Sequence, residues 1–137
     1  MRKRIIEVAR SYCGTPFHHQ GRLPGTGLDC AGVVVCALNE CGYQVNDRAN
    51  YGRIPAEGEF MRAIWEHCNS VQLVAIAPGD LMMFAFRTEP QHVALISQID
   101  PIMLIHSWQD VGKVVENGFD NAWQTRLRGC YRLKGID

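Results

Sequence analysis

The sequence has no net charge, no Cys-x-x-Cys spacing and no unbroken apolar run of signal-peptide or membrane-spanning length. Each absence removes a class of function. Lys plus Arg and Asp plus Glu both total 14 in 137 residues, which argues against an extended phosphate-binding face and therefore against a nucleic-acid partner. The start, Met1-Arg2-Lys3-Arg4, is basic, but Glu7 and Arg10 interrupt the apolar residues that follow. Neither a secretory leader nor a membrane span is expected. The six cysteines lack the paired short spacings of a structural zinc site. Without a leader they read as reduced thiols, most of them small core residues.

What is present describes one globular domain over residues 1–137. The hydrophobic share is 47% and the charged share 20%, and the length suffices for a core without metals or disulfides. Ile5, Ile6, Val8, Ala9 and Tyr12 recur at near-helical spacing, and Gly14-Thr15-Pro16 stops that helix. Residues 17–29 carry Gly21, Pro24, Gly25 and Gly27 without periodicity and read as a surface loop. A second helix is expected from Cys30 to Cys41, apolar on nearly every side and capped by Gly42. A third is expected over Glu57–Cys68. Beyond residue 71 the texture changes to short apolar runs broken by turn formers. Strands are expected at Leu81–Phe86, His92–Ile99, Met103–Ser107, Lys113–Glu116 and Cys130–Leu133, with turns at Pro78-Gly79-Asp80 and Asp100-Pro101. Helices first and strands afterwards give an α+β fold: N-terminal helices packed on a small, mainly antiparallel sheet.

The chemistry concentrates on Cys30. It ends the glycine-rich run Gly25-Thr26-Gly27-Leu28-Asp29 and opens the apolar helix. Unpaired N–H groups and the positive end of the helix dipole favour a thiolate there. A thiol nucleophile needs a base, a group to orient that base, and an oxyanion site. His92 and His106 fit the first two roles, because a hairpin about Asp100-Pro101 carries them toward one end. There the second imidazole can accept a hydrogen bond from the first. The helix N-terminus suits the oxyanion.

Blander readings compete at each position. A cysteine at a helix start is more often structural than catalytic, and a lone strand histidine is usually a satisfied side chain. The conjunction in this order is what favours chemistry. Asp29 is either a helix cap or a substrate-binding group, the second needing a cationic partner to offset the neighbouring thiolate. His18 and His19 suggest metal only weakly, since adjacent strand residues point to opposite faces; no metal or cofactor is expected. Trp65, Trp108 and Trp123 read as core or cleft-wall residues.

These residues resemble the NlpC-type cell-wall peptidases, a papain-like family. The likeness runs through Gly14-Thr15-Pro16-Phe17, Gly27-Leu28-Asp29-Cys30-Ala31-Gly32-Val33-Val34, Pro78-Gly79-Asp80-Leu81-Met82-Met83-Phe84, His92-Val93-Ala94-Leu95-Ile96 and Leu104-Ile105-His106-Ser107. The compact length and the stretch His18-His19-Gln20-Gly21-Arg22 look most like phage-encoded members associated with tails. The resemblance implies Cys30 as nucleophile, His92 as base and His106 as the orienting residue. It implies Phe17, His18, His19, Asp29 and Ala31 as substrate-binding positions. The implied substrate is the peptidoglycan stem peptide, cut at the γ-D-glutamyl–diamino-acid bond or a neighbouring one. Phage tail proteins are implied as partners. The implied location is cytoplasmic at synthesis, then the virion tail or the cell wall.

Two positions depart from the family pattern. Phe17 stands where a tyrosine is usual, leaving hydrogen bonding there to His18, His19 or Gln20. Ala31 stands where serine is common. The rival readings are a non-catalytic tail, assembly or cell-wall-binding module on the same fold, and a papain-like amidase of another substrate.

Overall fold

The structure, a computed structural model, describes residues 1–45, 62, 66–86 and 91–136. Its elements in chain order are α1 (Arg2–Ser11), β1 (Arg22–Leu23), β2 (Gly27–Leu28), α2 (Cys30–Glu40), β3 (Cys68–Val71), a 3-10 turn (Leu73–Ala75), β4 (Leu81–Phe84), β5 (His92–Ile99), β6 (Ile102–Trp108), β7 (Lys113–Gly118), α3 (Asn121–Gln124) and β8 (Leu127–Leu133). The main sheet has the order β3-β8-β4-β5-β6-β7 with every pairing antiparallel. The expected α+β architecture is the one observed.

β4 and β5 lie at the middle of the sheet and are covered on both faces, which explains their unbroken apolar runs. Leu81, Met83, Val93 and Leu95 face α1 and α2, joining Ile5, Ala9, Val33, Ala37 and Leu38 in one core. Met82, Phe84, Ala94 and Ile96 face the other way, into a smaller core closed by Leu104 and Trp123.

Helix α2 begins at Cys30 because Asp29 caps it: the side chain accepts the Gly32 N–H at 2.8 Å. It ends as the sequence indicates, with Gly42 at φ +83° and the Tyr43 N–H returning to the Leu38 carbonyl. Buried Asp80 ties three segments together. It accepts from Arg132 at 2.8 and 3.0 Å, from Arg2 at 3.1 Å and from the Ala77 N–H at 2.8 Å.

Four expectations need revision or fall outside the described residues. Residues 17–29 are not simply laid over the surface. β1 and β2 form a short antiparallel ribbon, Phe17 bridges Leu28, and Leu28 is fully buried. The period of a two-residue strand is too short to register in a sequence. Most of the helix expected over Glu57–Cys68 lies outside the described residues; Arg62, Glu66 and His67 are helical, but Cys68 opens β3. Trp65 also lies outside them. The strands β7 and β8 are longer than expected, because Asn117, Gly118, Leu127 and Gly129 pair within the sheet, with Arg128 left over at a bulge opposite β4.

Candidate active site

The two histidines come together through an irregularity in the sheet. Near the turn, β5 pairs with β6 as Ile99 with Ile102 and Gln98 with Met103; farther along, Ile96 pairs with Leu104 and Leu95 with Ile105. Ser97 is the extra residue of a β-bulge. Had the turn-proximal register continued, Leu95 would face His106, and the two imidazoles would lie on opposite sides of the sheet. With Ser97 bulged, His106 falls on the face of Ala94 and His92. Ser97 Oγ donates to Glu116 Oε2 at 2.6 Å, and Arg10 grips Glu116 at 2.9 and 3.0 Å. The bulge is thereby pinned to β7 and α1.

The rings meet at hydrogen-bond distance, His92 Nε2 to His106 Nδ1 at 2.7 Å, as the hairpin reading expects. His106 Nε2 in turn donates to Asn117 Oδ1 at 2.6 Å. Trp123 stacks on His92 at 5.5 Å and meets His106 edge-on at 4.9 Å, with Phe84 and Phe86 walling the remaining side. Burial drives His92 well below the usual histidine range, and the neighbouring His106 adds to this. His106 is also lowered by burial, against the opposing hydrogen bond to Asn117. At neutral pH both rings are therefore uncharged.

Cys30 sits at the first residue of α2, within the core on the helix side of the sheet and with only 8% of its surface exposed. Its sulfur receives backbone hydrogen bonds from Val93, the residue after His92, and from Ala31. Ser107, the residue after His106, reinforces the junction: its hydroxyl donates to the Leu28 carbonyl at 2.7 Å. The thiol and the imidazoles therefore approach the start of β5 from opposite faces. Among the described residues, no hydrogen bond links the Cys30 sulfur to the His92 ring.

The expected thiolate is not the resting state. Burial, followed by the Asp29 charge, pushes the Cys30 thiol up to about 12, outweighing the N–H groups of Val93 and Ala31 and the Arg22 charge. The helix terminus is legible in the sequence; the enclosure that overrides it is not. The resting site holds a neutral thiol and a neutral imidazole.

The other sequence-derived positions gather on the ribbon before α2. Asp29 Oδ1 accepts from the Gly32 N–H and from Arg22 at 3.0 Å, while Oδ2 accepts from the Gln20 N–H at 3.0 Å. Arg22 is the cation that a charged Asp29 needs, and the capping role is realised. Gly32 must be glycine: a Cβ there would stand 2.2 Å from the Gly21 carbonyl oxygen. Phe17, half-buried, donates its N–H to the Gly112 carbonyl at 2.8 Å. The His18 N–H reaches the Leu28 carbonyl at 3.2 Å, and its ring Nδ1–H donates to the His19 carbonyl at 3.0 Å. His19 and Ala31 are half-buried, the latter in the first turn of α2.

Sequence reasoning missed Asn117, Ser97 and Ser107. Only Asn117 carried a signal: it stands two residues from Val115, the β-partner of His106, and so on the same face.

Comparison with known proteins accords with this architecture. A family model described as the NlpC/P60 family matches residues 14–132. No curated protein sequence matches the chain. Among solved structures, the chain resembles a lipoprotein-like NLP/P60 family protein of Staphylococcus aureus at TM-score 0.73 and 20% identity, covering 96% of this chain and 41% of that one. It resembles the NlpC/p60 domain of the peptidoglycan hydrolase SagA at TM-score 0.70 and 18% identity, covering 97% and 99%. The peptidoglycan hydrolase RipB of Mycobacterium tuberculosis gives TM-score 0.70 and 19% identity, covering 96% and 63%. The chain thus spans about two fifths of the length of the Staphylococcus aureus protein. At these identities the likeness establishes the fold.

Proposed function

We propose, from the premise that this chain belongs to the NlpC/P60 family, that it is a cysteine endopeptidase of the peptide stem of bacterial peptidoglycan. The observation that carries this reading is the hydrogen-bonded His92–His106 pair at the start of β5, whose next residue, Val93, reaches the Cys30 sulfur at the mouth of α2. Two of the structural relatives are named as peptidoglycan hydrolases.

In this mechanism the Cys30 sulfur attacks the scissile carbonyl as His92 takes the thiol proton. The tetrahedral intermediate collapses when His92 returns that proton to the leaving amine. A water then attacks the thioester, His92 accepts its proton, and the acid product departs with the thiol restored. His106 holds the His92 ring. Because the resting pair is neutral, proton transfer accompanies attack rather than preceding it. Backbone N–H groups at the start of α2 face the developing oxyanion.

The bond assigned is the γ-D-glutamyl–diamino-acid bond or a neighbour of it, on the family resemblance. Phe17, His18, His19, Asp29 and Ala31 are assigned to substrate contact; their support is their place along the ribbon leading into Cys30. Association with a phage tail rests on the 18–22 stretch and the compact length. Copurification with tail particles tests it.

The decisive assay incubates the purified protein with defined stem peptides and follows the products by mass. Cleavage by the wild type, and none by a folded Cys30→Ala variant, is the expected result. Equal turnover by the variant removes Cys30 from the mechanism.

A second reading, a non-catalytic cell-wall-binding module, is favoured by one observation: the near-complete enclosure of Cys30. It requires that stem peptides bind unchanged and that Cys30→Ala bind them equally well.

A further inference from the structure

We infer that Asn117 is a positioning residue that selects which nitrogen of His92 carries the proton. The inference rests on the peptidase reading and extends it by one member. It follows from the donor and acceptor inventory of the chain of groups. The Asn117 amide oxygen faces His106 Nε2 at 2.6 Å, and an amide oxygen can only accept. His106 Nε2 therefore bears hydrogen, and in the neutral ring Nδ1 is then the acceptor. His92 Nε2, 2.7 Å from that Nδ1, must donate to it. His92 Nδ1 is left with its lone pair free, the form a general base requires. Were the amide turned, its NH2 would donate to His106 Nε2, His106 Nδ1–H would donate to His92 Nε2, and His92 Nδ1 would carry hydrogen. In that state His92 cannot take the thiol proton.

The surroundings favour such a relay. His92 and His106 are 3% and 0% exposed, so water has little access to substitute for a missing partner. Neither imidazole is a charged ring at neutral pH, so tautomer choice, rather than charge, is the variable left to control. Asn117 reaches the ring from β7, where it pairs with Leu104 while Val115 pairs with His106. That is a diagonal neighbour on one face, within reach of a short amide side chain.

The test combines a spectroscopic readout with turnover. Long-range 1H–15N correlation spectra of uniformly 15N-labelled protein report which ring nitrogen is protonated. Wild type should show Nε2–H on both His92 and His106. Asn117→Leu, similar in size but without an acceptor, should give mixed tautomers on both rings. It should also lower kcat by about tenfold or more after correction for the folded fraction, since the unpaired His106 N–H lowers the melting temperature as well. Asn117→Gln, with its acceptor on a longer arm, should recover part of the loss. Nδ1–H on either wild-type ring overturns the inference, as does Asn117→Leu with unchanged tautomers and unchanged kcat. If the tautomers behave as expected but wild-type protein cleaves no stem peptide, the relay stands and the peptidase reading falls.

Discussion

The thiol half and the imidazole half of the candidate site are built by different means. The thiol half is local. Within a few residues of Cys30, Asp29 caps the helix and holds Arg22, while Gly32 admits the Gly21 carbonyl. The imidazole half is assembled from three strands, and it depends on where Ser97 interrupts the β5–β6 register. Changes in the first half should alter acidity and helix stability. Changes in the second should decide whether the rings meet at all.

The largest effect should come from removing the base. His92→Ala should lower kcat by about 10³-fold or more, whereas His106→Ala, which removes only the orienting ring, should cost less. Equal losses would mean that the two rings act as one unit. Next is the register itself. Inserting one residue between Ala94 and Leu95 should turn His92 to the opposite face of the sheet and reduce turnover by about 10²-fold, while Ser97→Ala keeps the residue count and loses one hydrogen bond, about 1 kcal/mol. If the insertion variant retains activity, the β5–β6 register does not align the rings.

A smaller effect belongs to the thiol half. Gly32→Ala forces a methyl against backbone and should destabilise the protein by about 2 kcal/mol, read by denaturant unfolding. Asp29→Asn should sharpen the comparison most finely. The amide oxygen can still cap α2, but the NH2 group would face the Gln20 N–H and Arg22 would lose its anion, so stability should fall by about 1–2 kcal/mol. Loss of the neighbouring negative charge should lower the Cys30 thiol from its value of about 12, shifting the alkylation profile toward neutral pH. The pH dependence of turnover completes the set. Burial lowers His92, so the ring stays neutral as pH falls through the ordinary value of 6.5, and the acid limb of kcat/KM should lie below that value. An acid limb at or above it would mean that the ring is more exposed than the structure has it.

The difference between the halves also explains what the sequence discloses. The thiol half is contiguous, so Asp29 as a cap, Cys30 at a helix start and Gly42 at its end follow from side-chain chemistry within one turn. The strand limits of β5 follow from composition, and a hairpin about Asp100-Pro101 accounts for the two histidines lying toward the same end of their strands, though not for their sharing a face. The bulge does not follow, because nothing in His92-Val93-Ala94-Leu95-Ile96-Ser97-Gln98-Ile99 marks which residue will be left unpaired. The acidity of Cys30 misleads for a related reason. The dipole at a helix terminus is a local property, whereas burial depends on what the whole chain packs around it. Asn117 sits at strand distance from His106 and becomes meaningful only once β6 and β7 are paired.

The convergence of the two halves is tested most directly by asking which of the six cysteines a stem-peptide-shaped electrophile labels. Cys13 is exposed and Cys30 buried, so a small generic alkylating agent should mark Cys13 first. The substrate-shaped reagent should instead mark Cys30, with labelling lost in His92→Ala. Preference for Cys13 by both reagents, with Cys30 untouched whether or not His92 is present, would contradict a catalytic meeting of thiol and imidazole.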